Sequence, residues 1–217
     1  NIQEVAEIQP DYLGFIFYEK SKRNFEGIIP ELPKSIKKTG VFVNEHPEIV
    51  ISLVEEYALD AIQLHGDESV AYIAELNEQL AERRTLFLEE NTKIKKKKNR
   101  HVISENPIEI IKVFGIKDAF NFENLQPYLE FIDYFLFDTK GKERGGNGVQ
   151  FDWSILAQYP FKKPFFLSGG IGLENLKEVQ KIMNSNLPIY AVDINSKVEI
   201  KPGVKNIEEV KIFKNTL

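Results

Sequence analysis

Asp138 ends the apolar run Tyr134-Phe135-Leu136-Phe137, which has the composition of a buried strand. Withdrawal from water disfavours a carboxylate's charged form, so Asp138 suits proton donation near neutral pH. The segment behind it, 140–148, holds Gly145, Gly146 and Gly148, which suits a mobile cover over a site. Two other strand ends carry Ser168-Gly169-Gly170 and Asp193-Ile194-Asn195-Ser196. Gly169 and Gly170 lack side chains, so their backbone amides can approach phosphate oxygens closely. Asn195 and Ser196 add amide and hydroxyl donors, or cap a helix there. Arg23 offers a fixed fork of donors for a carboxylate or phosphate, and His65 closes a further strand. Each residue also has a plainer reading: a lysine-paired Asp138, a surface Arg23, a hydrogen-bonded structural His65, and a glycine pair that only makes a tight turn.

Such residues work together only if their strand ends converge. Strand patterns fall at 12–17, 39–43, 60–65, 110–115, 133–138, 164–168 and 189–193. Helical periodicity lies between them at 47–57, 70–84, 121–129, 173–184 and 206–214. Strands this continuously apolar are covered on both faces, and strict alternation with helices predicts a parallel sheet. No G-x-G-x-x-G turn marks a dinucleotide site, so the expectation is an α/β fold of the (βα)8 TIM-barrel type. In that architecture catalytic groups come from strand C-termini, and phosphate sits between the loops after the last two strands. The chain opens in a helical segment at 1–8 with no strand ahead of it. Strand one and its loop, roughly a dozen residues, are therefore expected upstream of Asn1. Residues 1–217 are read as one domain, with a lysine-rich insertion at about 88–107 on a helix-to-strand connection.

Composition narrows the function. The net charge of −5 argues against nucleic acid as a partner, and the lysine run at 93–98 is read as a solvated surface excursion. Cysteine is absent, which removes disulfides, thiolate metal sites and a Cys nucleophile from these residues. The histidines His46, His65 and His101 are too scattered to predict a metal cluster, so none is expected. No apolar run reaches the ~18 residues of a membrane span, and residues 1–10 do not resemble a signal peptide. A cytoplasmic protein with a phosphorylated small-molecule substrate is expected.

The motifs together resemble phosphoribosylanthranilate isomerase, a barrel enzyme family of tryptophan biosynthesis. The resemblance rests on Asp11-Tyr12-Leu13-Gly14-Phe15-Ile16-Phe17 with Ser21-Lys22-Arg23, on Gly40-Val41-Phe42-Val43-Asn44, and on Gln63-Leu64-His65-Gly66-Asp67-Glu68. It continues through Phe137-Asp138-Thr139, Gly145-Gly146-Asn147-Gly148 with Phe151-Asp152-Trp153, Leu167-Ser168-Gly169-Gly170 with Glu174-Asn175, and Val192-Asp193-Ile194-Asn195-Ser196 with Val198-Glu199 and Pro202-Gly203-Val204-Lys205. It implies an Amadori rearrangement of N-(5-phosphoribosyl)anthranilate by general acid–base catalysis, with no metal or organic cofactor. It implies Asp138 as the acid, Arg23, His65 and Gly146 around the substrate, and Gly169, Gly170, Asn195 and Ser196 on the phosphate. Other tryptophan-pathway enzymes are the implied partners. The family's base is a cysteine at the end of strand one, which this chain does not contain. Lys197 stands where many relatives have glycine. Alternatives are a phosphate-binding barrel that acts as a scaffold, and a sister isomerase of histidine synthesis. The sister enzymes use an aspartate at the end of strand five, where this chain has Phe114-Gly115.

Overall fold

A computed structural model describes residues 1–93, 106–139 and 150–217, with backbone only for 90–93. Gly145, Gly146 and Gly148 lie outside the described residues, as does nearly all of the lysine run.

Seven parallel strands pair in chain order into one curled sheet. They are β1 (Tyr12–Phe17), β2 (Lys37–Phe42), β3 (Ala61–Leu64), β4 (Glu109–Ile116), β5 (Tyr134–Thr139), β6 (Phe165–Leu167) and β7 (Ile189–Val192). The helices are α1 (Ile2–Glu7), α2 (Pro47–Tyr57), α3 (Val70–Lys93), α4 (Leu176–Met183) and α5 (Ile207–Thr216). An antiparallel hairpin, β8 (Glu199–Lys201) with β9 (Val204–Lys205), follows β7. This is the expected TIM-barrel type of fold. The sheet curls until its first strand faces its last: the Tyr12 ring meets Phe166 at 5.2 Å and Tyr190 at 6.3 Å. Asn1 bonds the Lys205 backbone, and Lys214 Nζ donates to the Ile8 carbonyl at 2.7 Å, which ties α1 to the end of the chain.

Strand alternation sorts the side chains into two cores. Ala61, Ile111, Val113, Leu136 and Phe166 fill the barrel interior, with Tyr12, Tyr134 and Ala191 packed against them. Their neighbours in sequence, among them Ile62, Leu64, Ile110, Phe135, Phe137, Phe165 and Leu167, face outward into the layer beneath the helices. Phe135, Phe137 and Phe165 are fully buried there.

Two helical expectations change. Helix α3 runs past 84 to Lys93, so the first residues of the segment read as an insertion, 88–93, continue a helix. The segment 121–129 is a 3-10 helix, Phe122–Tyr128, with Pro127 inside it and Asn121 capping the Glu123 amide. Among the described residues no helix is long and apolar enough to cross a membrane.

Candidate active site

The two-residue period decides which strand ends meet. On β5, Tyr134 and Leu136 point into the barrel, so Asp138 does as well, one layer higher. By the same rule His65 follows Ala61 and Gln63 of β3, and Ser168 follows Phe166 of β6. These three inward positions converge at the C-terminal mouth, where with Arg23, Asp193 and Asn195 they line one end of a cavity of about 890 Å³ that runs on to Tyr12 and Phe213.

Asp138 is buried, and its Oδ2 stands 3.5 Å from His65 Nε2. Its other oxygen accepts the Thr139 backbone N–H at 2.7 Å. On the far side of the His65 ring, Nδ1 lies 3.3 Å from the Gln63 amide nitrogen. The Ser168 hydroxyl donates to Asp193 Oδ2 at 3.0 Å. Desolvation, reinforced by the negative charge of Asp138, pushes the Asp193 carboxyl above the usual range; Ser168, Lys205 and His65 pull it down by less. Two carboxyl groups and one imidazole thus share the mouth.

The loops after β6 and β7 are built close against this group. Gly169 and Gly170 have φ of +93° and +65°, values that favour glycine strongly. A Cβ on Gly169 would lie 2.4 Å from Thr139 Oγ1 and 3.0 Å from Asp138 Oδ1, so its backbone packs directly on the acid. Buried Asn175 holds the turn, accepting from the Gly172 N–H at 3.0 Å and donating to the Gly170 carbonyl at 2.9 Å. On the next loop Asn195 occupies the cap position of the 3-10 turn Ser196–Val198 but makes no side-chain cap bond. Lys205 Nζ instead engages the Asn195 side-chain oxygen and, at 3.1 Å, its carbonyl. Lys197 reaches across to Glu174 at 2.7 Å, joining the loop after β7 to the loop after β6.

Arg23 meets the same loop from the β1 side. Its Nε and Nη2 donate to Glu199 Oε2 at 2.9 and 2.7 Å, and Lys205 Nζ lies 3.1 Å from Oε1. Desolvation pushes the Glu199 carboxyl up, but the Arg23 hydrogen bond and the charge of Lys205 outweigh it and hold it below the usual range. Burial lowers the Lys205 amine. The expected site residues Arg23, His65, Asp138, Gly169, Gly170, Asn195 and Ser196 therefore share one mouth. Gly146 falls outside the described residues. Asp193 and Asn175 stand in the motifs that carry the resemblance, as do Glu199 and Lys205, but sequence reasoning assigned none of the four a role. Asp193 had a signal, since it ends a strand just as Asp138 does. The Glu199–Lys205 pairing had none, because a 3-residue and a 2-residue strand leave no pattern. Among the described residues no cluster of His, Cys, Asp or Glu could hold a metal ion.

A family model described as N-(5'phosphoribosyl)anthranilate (PRA) isomerase matches residues 1–105 and 93–216. An N-(5'-phosphoribosyl)anthranilate isomerase of Parabacteroides distasonis is 38% identical over 220 residues, covering 98% of this chain and 86% of the relative. The crystal structure of phosphoribosyl anthranilate isomerase from Thermotoga maritima superposes with a TM-score of 0.72 at 32% identity, covering 100% of this chain and 93% of that one. A second crystal structure, of such an isomerase in complex with reduced 1-(o-carboxyphenylamino)-1-deoxyribulose 5-phosphate, gives a TM-score of 0.68 at 29% identity over 100% of this chain and 93% of that one.

Proposed function

The chain belongs to the N-(5'-phosphoribosyl)anthranilate isomerase family, and on that premise we propose how its mouth performs the reaction. The enzyme converts N-(5'-phosphoribosyl)anthranilate to 1-(2-carboxyphenylamino)-1-deoxyribulose 5-phosphate. Asp138 protonates the ribose ring oxygen, the C1'–O bond breaks, and the anthranilate nitrogen forms a Schiff base with C1'. Loss of the C2' proton to a base gives an enolamine. That species takes a proton at C1' while its hydroxyl becomes the ketone, so the net change is an isomerisation. No described side chain is assigned to the C2' proton. Gly169, Gly170, Asn195 and Ser196 hold the phosphate by backbone and short polar donors. Arg23 and His65 face the anthranilate end, and Gly146 belongs with them to the substrate-binding set. The chemistry calls for no metal or organic cofactor, and the protein works in the cytoplasm beside other tryptophan-pathway enzymes.

The observation that carries this assignment is Asp138, buried on the inward face, with His65 Nε2 3.5 Å away and the Gly169 backbone packed on its carboxyl. The test is turnover by the full-length protein of the anthranilate substrate and of the aminoimidazole substrate of histidine synthesis. Conversion of the first alone is expected. Conversion of the second alone would reassign the barrel to the sister reaction, and conversion of neither would leave a phosphate-binding scaffold.

A further inference from the structure

The most deeply buried opposite charges among the described residues lie outside the mouth. Lys112 sits on β4 between Ile110 and Phe114, at a position that alternation turns outward into the apolar layer. Only 2% of it is exposed, and Glu68, at the entry to α3, is 4% exposed. A buried ion pair is weak evidence for stability, because desolving two charges offsets most of their attraction. What it bonds besides itself is more informative.

Lys112 Nζ donates to Glu68 Oε2 at 2.9 Å, to the Gly66 carbonyl at 2.8 Å and to the Leu64 carbonyl at 3.3 Å. The Glu68 carboxylate accepts the backbone N–H of Asn44 at 2.8 Å and that of Gly66 at 3.0 Å. The two side chains therefore grip the backbone immediately before and after His65, and anchor it to the end of β2 and the middle of β4. Contact on the far side is equally close. A Cβ on Gly66 would meet Asn44 Oδ1 at 2.2 Å and Glu68 Oε1 at 2.4 Å. Asn44 itself has a left-handed φ of 51° and accepts from the Asp67 N–H at 2.6 Å. An apolar pair could fill the same space but could not bond these amides and carbonyls.

We propose that Lys112 and Glu68 are positioning residues for the isomerase reaction: they fix residues 64–68 and thereby aim the His65 ring at Asp138. The proposal rests on the reading that His65 and Asp138 work together at the mouth. Neither side chain lines the cavity, and the pair acts through the backbone that it bonds. Geometry of this kind controls rate, since small misplacements at a reacting centre are costly.

The test uses the full-length protein with Glu68→Gln/Lys112→Met, which removes both charges at similar volume, and with Glu68→Gln alone, which keeps an acceptor oxygen. Turnover in the double variant is expected to fall about tenfold or more, mainly in kcat, while inorganic phosphate binds within about twofold of the parent. Introduced into a His65→Ala background, the same double change is expected to cost less than about twofold, because its effect passes through His65. A full tenfold cost in that background would overturn the proposal, as would a double variant with parental kcat. A second readout does not depend on activity. Asp138→Asn should shift the His65 ring signals in a proton–nitrogen NMR spectrum of the parent, and that response should be lost in the charge-free variant. An equal response in both proteins would also overturn the proposal. Failure of the functional assignment has a different signature, with the NMR result as expected and turnover of the anthranilate substrate absent from the parent.

Discussion

Asp138 and Asp193 end inward-facing strands at one mouth and take different environments. Asp138 accepts a backbone amide and faces an imidazole at 3.5 Å, whereas Asp193 accepts a serine hydroxyl and lies in the field of Asp138. Because the folded-state proton affinity of Asp193 is raised, its contribution to stability is fully present below the unfolded value of about 3.9 and is lost as pH rises through the folded value. Asp193→Asn should therefore gain Tm relative to the parent between pH 4 and pH 7 in paired thermal melts, while turnover falls. A Tm difference that stays constant across that range would contradict the raised affinity. Gly169→Ala should weaken phosphate binding, since a left-handed φ is strained for alanine and the new methyl meets Thr139; titration with inorganic phosphate reads this directly. Asp138 was legible in the sequence because an acid ending an apolar strand is conspicuous. The Lys112–Glu68 pair was not. Its available signal was a lysine between Ile110-Ile111 and Val113-Phe114, a charge that so apolar a strand can hold only with a partner.

At the scale of elements, the strand patterns located every strand of the main sheet to within about two residues, since β-branched and aromatic runs bounded by turns are hard to place elsewhere. Helices were less legible. No glycine or proline interrupts 70–93, so α3 continues where connection length alone argued for a loop. Trp153–Gln158 forms a 3-10 turn capped by Asp152, too short for periodicity to register. The clasp between Lys197 and Glu174 also belongs to this scale, because it joins two loops. Lys197 holds the Glu174 carboxyl below its usual range, yet both side chains are over a third exposed, so solvent screens the pair. Glu174→Gln should cost at most about 1 kcal/mol in denaturant melts, a difference that vanishes near 1 M salt. The contribution is present above the unfolded carboxyl value and fades as pH falls through the lowered one.

For the whole molecule, one alternation rule produces both the outer core and the catalytic layer. Phe135 and Phe137 bury outward for the same reason that Leu136 and Asp138 point inward. Stability and chemistry are thereby separable: Phe137→Ala should cost roughly 3–5 kcal/mol in unfolding measurements, with kcat changed little in the fraction that stays folded. Arg23, carried on the loop after β1, and Glu199, the first residue of β8, close the mouth by a contact 176 residues apart in sequence, which no local pattern encodes.

The most direct measurement is steady-state turnover of N-(5'-phosphoribosyl)anthranilate by full-length Asp138→Asn, with product affinity measured alongside. The amide keeps the size of the carboxyl group but cannot donate the proton that opens the ribose ring. A loss of roughly 10²–10⁴-fold in kcat, with product still bound within a few fold, is the expected result. Near-parental kcat would contradict the assignment of Asp138 as the acid.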